Sequence, residues 1–199
     1  MSVPRRSSHM ELSKFVKTYD DAIPVEVCKH AIKLFDQQED LEDWDREGCP
    51  QFTQFNITEY LDKKEDQENR GDWDIIQYAL INSAHEFVKQ YMDENDCRKF
   101  FPNRSSLEQF RMKKYRKGTD DRFEKHVDVA DHQSAKRFLT MFWYLNDVEE
   151  GGETKFDGLT ISPKQGRLLI FPPLWCFPHS GEPTISDDKY LVGTYSHYV

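Results

Sequence analysis

Apolar residues recur every three to four positions in two stretches of the N-terminal half, which is the period of an amphipathic helix. The first stretch runs from Pro24 to about Gln38, with proline at an early helical position. The second begins with Asp72 before Trp73 and runs to about Glu94. The pattern therefore predicts two helices in this half of the chain.

After Pro102 the pattern changes to short runs of aromatic and β-branched residues, which Gly, Pro and Asp interrupt. This pattern is typical of β structure. The predicted strands are Leu107–Tyr115, Arg122–Asp128, Phe138–Asn146, Glu153–Phe156, Leu159–Ser162, Leu168–Phe171, Trp175–His179 and Lys189–Tyr198. A helical half followed by short strands predicts an α+β fold with a mainly β core, a jelly roll or barrel buttressed by the N-terminal helices.

The length of 199 residues suits one domain over residues 11–199, with a helical support region at 11–106 and the β core at 107–199. Residues 1–10 resemble a protease site and cloning remnant, so Met10 is the expected native start and His9 is set aside as a ligand. The segment Thr58–Gly71 carries a run of both charges. It predicts a solvated loop, with a substrate lid as the alternative.

The net charge and the lack of long apolar runs limit the classes of molecule that this protein is expected to bind. Lys and Arg number 27 against 36 Asp and Glu, a net charge of −9 that disfavours nucleic acid. No apolar run approaches the roughly eighteen residues of a membrane span, so we expect a soluble, cytoplasmic protein without a membrane partner. The cysteines form no C-x-x-C pair and are expected to be free thiols. They are Cys28, Cys49, Cys97 and Cys176.

The tripeptide His126-Val127-Asp128 carries the candidate chemistry. Residues i and i+2 of a strand face the same way, so His126 and Asp128 should point together. His179 follows the apolar run Leu168–Phe171 and is placed to be a third ligand from another strand. Two imidazoles and one carboxylate on one side of a metal leave positions open, as in non-haem Fe(II) oxygenases. Lys189 is flanked by apolar residues and would be costly to bury without a carboxylate partner.

Ordinary packing offers alternatives for each of these residues. An H-x-D tripeptide arises by chance in a chain with seven His, and Lys189 can also sit at a strand entrance with its ammonium in water. Among the rival ligands, His132 joins the site only if the chain turns back after Asp128. The remaining rivals are His197 in the last predicted strand and His30 and His85 in the predicted helices.

Three further motifs, spread between about Gln109 and Val199, resemble one known family. They are Arg111–Gly118, which has a Tyr and a following Gly upstream of H-x-D, Tyr144–Phe156 with Gly151-Gly152-Glu153-Thr154, and Pro163–Phe171 with its P-x-x-G turn. Together with the interval of ten residues from His179 to Lys189, they resemble the Fe(II)- and 2-oxoglutarate (2OG)-dependent dioxygenases, specifically the prolyl 4-hydroxylase-like branch.

The resemblance implies a single catalytic domain built on a double-stranded β-helix, with Fe(II), 2OG and O₂ as cofactor and co-substrates and ascorbate as a reductant. The implied metal ligands and catalytic centre are His126, Asp128 and His179, and the implied 2OG-binding residues are Lys189, Tyr115 and Tyr144. Because Asp128 keeps a carboxylate on the metal, hydroxylation is favoured over halogenation.

The resemblance also implies hydroxylation of a protein or peptide, with proline as the preferred target and succinate and CO₂ as products. Trp175, Phe177 and Tyr195 are candidates for the substrate side, although aromatic residues in strands are often core. Animal prolyl hydroxylases tend to carry Trp where this chain has Tyr190 and Tyr195, which argues against collagen-like repeats.

Other classes remain open from the residues alone. One is a non-catalytic jelly-roll module that binds a metal and a peptide, and another is an oxygenase that acts on a small molecule. A His₂Asp zinc hydrolase is disfavoured because no general base is evident beside the triad.

Overall fold

The computed structural model describes residues 12–45, 51–63 and 69–199. The helices are α1 (Val25–Phe35), α2 (Ile57–Asp62) and α3 (Arg70–Glu94). The strands are β1 (Lys17–Tyr19), β2 (Glu42–Asp45), β3 (Gln51–Asn56), β4 (Ser105–Leu107), β5 (Arg111–Tyr115), β6 (Phe123–His126), β7 (Arg137–Tyr144), β8 (Thr154–Phe156), β9 (Leu159–Ile161), β10 (Leu168–Phe171), β11 (His179–Gly181) and β12 (Lys189–Tyr198).

Both predicted helices form, and their apolar stripes face the protein interior. In α1 the buried side chains are Cys28, Ala31, Leu34 and Phe35, which recur at helical spacing. Pro24, with φ of −60°, precedes α1 in the extended conformation that a helix start requires. None of the helices in the described parts of the chain combines the length and the apolar character needed to cross a membrane.

The strands form two antiparallel sheets. The larger sheet has the order β1-β10-β7-β12-β5-β3-β2, and β4 also pairs with β12; the smaller has the order β6-β11-β8-β9. One apolar cluster packs α1 and α3 against the larger sheet, and a second lies between the two sheets. The fold is therefore α+β with a double-stranded β-helix core buttressed by helices, as the sequence predicted.

The N-terminal region contributes strands as well as helices. β1 pairs with β10 through Tyr19 and Leu168, and β3 pairs with β5 through Phe55 and Met112. The sequence analysis predicted none of the strands β1, β2 and β3. The larger sheet therefore extends beyond residues 107–199.

The predicted strand Leu107–Tyr115 was wrong as a single element. β4 ends at Leu107 and β5 begins at Arg111. Phe110 leaves the ladder because the start of α2 binds its backbone: its carbonyl accepts from the Ile57 N–H at 3.0 Å, and its N–H donates to the Thr58 hydroxyl at 2.9 Å.

The predicted strand Trp175–His179 was also wrong, because the strand begins at His179. Pro172, Pro173 and Pro178 precede it, and proline has no N–H for a ladder. A turn closed by the Phe177 N–H and the Leu174 carbonyl at 2.8 Å takes the place of the expected strand.

The predicted loop Thr58–Gly71 is partly helical, since α2 extends to Asp62 and α3 begins at Arg70. Asn56 caps α2 by accepting a hydrogen bond from the Glu59 N–H at 3.1 Å. Residues 64–68 of the predicted loop, the predicted cloning remnant at 1–10 and Cys49 lie outside the described residues. Cysteines 28, 97 and 176 are free thiols, as expected.

Candidate metal and co-substrate site

The three predicted metal ligands meet between the two sheets. β11 pairs with β6 so that His179 lies directly opposite His126. The Nε2 atom of His126 lies 3.6 Å from one carboxylate oxygen of Asp128, and the Nε2 atom of His179 lies 3.7 Å from the other. One ligand atom from each residue falls within 4.8 Å of the others. In the described parts of the chain this is the one such group of metal-ligating side chains.

The hydrogen bonds of the two imidazoles leave their Nε2 atoms available to a metal. The Nδ1 atom of His126 lies 2.7 Å from the Glu124 carbonyl oxygen, and that of His179 lies 3.1 Å from the Phe177 carbonyl oxygen. A carbonyl only accepts, so each Nδ1 carries the proton and each Nε2 presents a lone pair. The Nε2 atom of His179 is buried without a hydrogen-bond partner. A bound cation would satisfy it, so these residues fit a metal with nitrogen and oxygen ligands.

A second layer of contacts orients Asp128. Its carboxylate accepts hydrogen bonds from the Thr140 hydroxyl at 2.9 Å and from the Tyr195 hydroxyl at 3.0 Å. Its backbone carbonyl accepts from Nη1 of Arg137 at 3.1 Å. The Arg137 guanidinium also lies 3.9 Å from the Tyr195 ring centroid and is paired with Glu108 at 2.8 Å. The carboxylate is therefore held by neighbours that leave it pointing at the two histidines.

The protonation states of the ligands suit metal binding. Burial raises the pKa of Asp128, but the interactions with His126, with His179 and with the Thr140 hydroxyl outweigh it and bring this pKa to about 2. Burial lowers the pKa of His179, so its imidazole is neutral near pH 7. An ionised carboxylate and a neutral imidazole are the forms that coordinate a divalent cation.

A cavity beside the triad leads to Lys189. His126, His179, Thr154, Tyr115 and Lys189 all contribute to its wall. The Lys189 side chain is fully buried, its ammonium donates to the Gly152 carbonyl oxygen at 2.9 Å, and it lies 4.1 Å from the centroid of the Tyr115 ring. In the described parts of the chain no carboxylate comes within 4.0 Å of it. Burial lowers the pKa of Lys189 to about 7.

The remaining predicted residues occupy different environments. Tyr144 is fully buried, and its hydroxyl is 2.6 Å from that of Thr154 on the cavity wall. Trp175 is 80% exposed in the loop that precedes His179, whereas Phe177 is buried in the cluster between the sheets. Tyr195 contacts Asp128, as described above.

The rival histidines lie apart from the triad. His132 is exposed in the connection after Asp128. His30 forms an ion pair with Asp72 at 3.2 Å, and His85 lines a groove beside α3. His197 forms its ring contact with the backbone carbonyl of the next residue in β12.

Sequence reasoning missed several residues that support the site. Thr140 and Arg137 orient Asp128, and Phe123 stacks on His126 with ring centroids 3.5 Å apart. Lys113 lines the cavity. Strand parity could have identified Lys113 as a residue of the site, because it is two residues from Tyr115 and so lies on the same face of β5.

Comparison with known proteins agrees with this geometry. Residues 110–197, slightly less than half of the chain, match the family model of the 2OG-Fe(II) oxygenase superfamily. "Probable prolyl 4-hydroxylase 9" of Arabidopsis thaliana is 27% identical over 135 residues, which are 56% of this chain and 46% of that protein. The chain thus spans about half the length of this curated relative.

Two solved structures share the fold. The viral collagen prolyl hydroxylase of Paramecium bursaria Chlorella virus-1, in its 2OG complex, is 18% identical with a TM-score of 0.66, covering 93% of this chain and 96% of its own. A Trichoplax adhaerens prolyl hydroxylase, in complex with a peptide fragment of the hypoxia inducible factor oxygen degradation domain, is 15% identical with a TM-score of 0.70 and covers 93% and 84%.

The resemblance seen in the sequence is confirmed: residues 110–197 match the model of the 2OG-Fe(II) oxygenase superfamily, and the chain resembles the prolyl 4-hydroxylase-like branch. The family is named for 2OG and Fe(II), and His126, Asp128 and His179 give this chain a candidate site for the metal.

Proposed function

We propose that this protein is an Fe(II)- and 2OG-dependent dioxygenase that hydroxylates a protein or peptide at proline. The observation that carries the proposal is the convergence of His126, Asp128 and His179 beside a cavity that contains the buried, carboxylate-free ammonium of Lys189. A metal centre next to a buried cation fits a co-substrate that chelates the metal at one end and is anionic at the other.

The triad would hold Fe(II), which with 2OG and O₂ bound supplies oxidative decarboxylation of 2OG to succinate and CO₂ coupled to hydroxylation of a C–H bond. His126, Asp128 and His179 would supply the protein ligands of this metal. Thr140 and Tyr195 keep the Asp128 carboxylate aligned for that role.

Lys189 would bind the distal carboxylate of 2OG. Its burial without a salt-bridge partner disfavours the charged form, and an incoming carboxylate would restore the charge balance. Tyr115 lies against the ammonium, and the Tyr144 hydroxyl is hydrogen-bonded to that of Thr154 on the cavity wall. These contacts support a role for both tyrosines in the co-substrate pocket. Lys189 and Tyr144 are fully buried, so bulk solvent does not reach these two side chains.

The substrate part of the proposal rests on the relatives and on the surface near the triad. The Arabidopsis relative is named as a probable prolyl 4-hydroxylase, and the Trichoplax hydroxylase was solved with a peptide. Trp175 and Leu174 expose apolar surface in the loop that precedes His179, as a peptide-binding edge would. Phe177 and Tyr195 are less suited to peptide contact, since Phe177 is buried in the core between the sheets and Tyr195 is bonded to Asp128.

We also propose ascorbate as the reductant, which the family resemblance implies. A cytoplasmic location agrees with the free thiols of Cys28, Cys97 and Cys176. Activity with and without ascorbate tests the first point, and localisation of the tagged protein tests the second.

The test is turnover of 2OG by the purified protein with Fe(II) and proline-containing peptides. We expect release of succinate and a peptide mass increase of one oxygen atom on proline. Asp128→Ala should abolish both, whereas the matched control Asp157→Ala, which removes an exposed carboxylate on another strand connection, should not.

The possible outcomes separate the rival functions. Failure of the wild-type protein to bind 2OG or to release succinate would overturn the dioxygenase proposal. Succinate release without modified proline would overturn the prolyl part and favour another substrate. Tight Zn²⁺ binding without 2OG affinity would favour a non-catalytic module.

A further inference from the structure

A second lysine, Lys113, faces the same cavity. It lies on β5 two residues before Tyr115, so the two side chains emerge from the same face of the larger sheet. β12 pairs with β5 in the register that sets Lys189 opposite Tyr115 and Leu191 opposite Lys113. The Lys113 side chain contributes to the cavity wall together with His126, His179 and Lys189.

The contacts of Lys113 within the protein do not neutralise its charge. Its ammonium lies 4.7 Å from the centroid of the Phe52 ring and 5.8 Å from that of Phe123, and such cation–π contacts compensate only part of the cost of burying an ammonium. In the described parts of the chain, no carboxylate lies within 4.0 Å of the Lys113 ammonium and no acceptor receives a hydrogen bond from it. Burial lowers the pKa of Lys113 to about 8.

The two lysines experience different charged neighbours. Lys113 pairs with Leu191, which is two residues nearer along β12 than Lys189 to Tyr195, the residue that donates to Asp128. Lys113 therefore lies towards the metal-binding end of the cavity, and its ammonium interacts with the charges of Asp128 and His179. The ammonium of Lys189 interacts instead with Glu153 and Glu182. The two ammonium groups also repel each other.

Two cations that share a small cavity, one at each end, predict a ligand with two anionic groups. We propose that Lys113 is a second co-substrate-binding residue, which binds the carboxylate at the metal end of a 2-oxo dicarboxylic acid while Lys189 binds the carboxylate at the other end. This inference rests on the proposed function and deepens it, since it assigns both carboxylates of 2OG to named lysines.

The test measures binding in the absence of turnover. Zn²⁺-loaded protein, which is redox-inert, is titrated calorimetrically with 2OG and with 2-oxovalerate, the analogue that lacks the distal carboxylate. At about pH 6 both lysines are protonated, because this pH lies below both pKa values. The variants are Lys113→Met, Lys189→Met and the matched control Lys33→Met, which removes an exposed lysine of α1.

Lys113→Met should weaken binding of 2OG and of 2-oxovalerate by the same factor, about 10- to 100-fold for a lost charge-assisted hydrogen bond. Lys189→Met should weaken binding of 2OG alone. Lys33→Met should change neither. The double variant Lys113→Met/Lys189→Met should bind 2OG more weakly than either single variant, because both carboxylates lose their partners.

This inference would be overturned if Lys113→Met bound 2OG as tightly as the wild-type protein. It would also be overturned if the variant lost only peptide binding, because Lys113 would then be assigned to the substrate. Lys113→Arg keeps the charge and should retain more affinity than Lys113→Met; equal losses would overturn the electrostatic role. Thermal unfolding of each variant identifies any that fails to fold, and in that case Lys113→Gln is compared with Lys113→Arg. If the wild-type protein binds no 2OG, the proposed function itself fails, which is a distinct result.

Discussion

Replacing Lys189 with methionine should stabilise the ligand-free protein while it weakens binding of 2OG. Methionine has a similar length and keeps the apolar contacts of the lysine stem, but it carries no charge into the interior. Because the Lys189 side chain is fully buried and has no salt-bridge partner among the described residues, the wild-type protein bears the cost of burying an amine that is charged in the unfolded chain.

The free-energy cost of burying this amine follows from the lowered pKa of Lys189. The pKa of Lys189 falls from 10.5 to about 7, and at 1.36 kcal/mol per pH unit this difference corresponds to about 5 kcal/mol. The hydrogen bond to the Gly152 carbonyl oxygen and the contact with the Tyr115 ring are lost in the variant and offset part of it, about 1 to 2 kcal/mol each. A net gain of about 1 to 3 kcal/mol is expected near pH 7, which raises Tm by about 2 to 4 °C per kcal/mol.

The effect should depend on pH with a defined sign. Between pH 7 and 10.5 the unfolded chain keeps the proton on Lys189 and the folded protein releases it, so the unfolded state binds more protons and the stability of the wild type rises with pH. The variant has no such group. The stability advantage of Lys189→Met should therefore be largest at pH 7 and below and should shrink as the pH approaches about 10.5.

The assay is urea unfolding of the metal-free and 2OG-free proteins across this pH range, paired with 2OG titration of the Zn²⁺-loaded proteins. Affinity for 2OG should fall by about 100-fold or more, because the buried distal carboxylate loses its partner. Lys33→Met serves as the control in both measurements. A variant that is less stable than the wild type at pH 7 and still binds 2OG with wild-type affinity would refute the reasoning.

Three further changes test the supports of the site. Tyr195→Phe removes the hydroxyl that donates to Asp128 and should lower Zn²⁺ affinity by about 10- to 100-fold in a competition titration; unchanged affinity would contradict the orienting role. Gly151→Ala would place a Cβ 2.5 Å from a backbone carbonyl oxygen in a residue whose φ is +79°. The variant should have a free energy of unfolding lower by about 2 kcal/mol or more. Wild-type stability would contradict this prediction and show that the turn relaxes around the new methyl group. Asp121→Asn removes a buried carboxylate. Burial raises the pKa of Asp121, but its hydrogen bonds and ion pair with Arg116 outweigh burial and leave this pKa below its usual value. The stabilising effect of the carboxylate, about 1 to 3 kcal/mol, should be full at neutral pH and be lost as the pH falls through the folded-state pKa, so a stability difference between variant and wild type that does not change with pH would contradict it.

The elements predicted correctly are those that carry their signal locally. α1 and α3 bury residues at helical spacing, and β7 and β12 are continuous runs with aromatic and β-branched residues. Strand parity also predicted that His126 and Asp128 face the same way, but β6 ends at His126. The bend after the strand and the hydrogen bonds from Thr140 and Tyr195 therefore set the position of the Asp128 carboxylate.

The elements that were missed depend on partners distant in sequence. β3 has polar residues at four of its six positions, yet Thr53 donates to the Asp43 carboxylate at 2.6 Å and Gln54 donates to Glu42 at 3.2 Å. These acceptors lie on β2, so the free-energy cost of burying the polar side chains of Thr53 and Gln54 is offset by hydrogen bonds only after β2 and β3 have paired. The local sequence of β3 carries no sign of that pairing.

The amino-acid sequence alone determined the chemical types of the candidate site: two imidazoles, a carboxylate two residues after the first imidazole and a lysine in an apolar strand. Tertiary structure decided which of them meet. The register of β11 against β6 sets His179 opposite His126 across 53 residues of chain, and the packing of the two sheets adds Thr140 and Tyr195 to Asp128. The tertiary structure also places the Lys113 side chain on the cavity wall. The physical reason is that hydrophobic period and parity act within one element, whereas register and sheet packing depend on contacts between elements far apart in sequence.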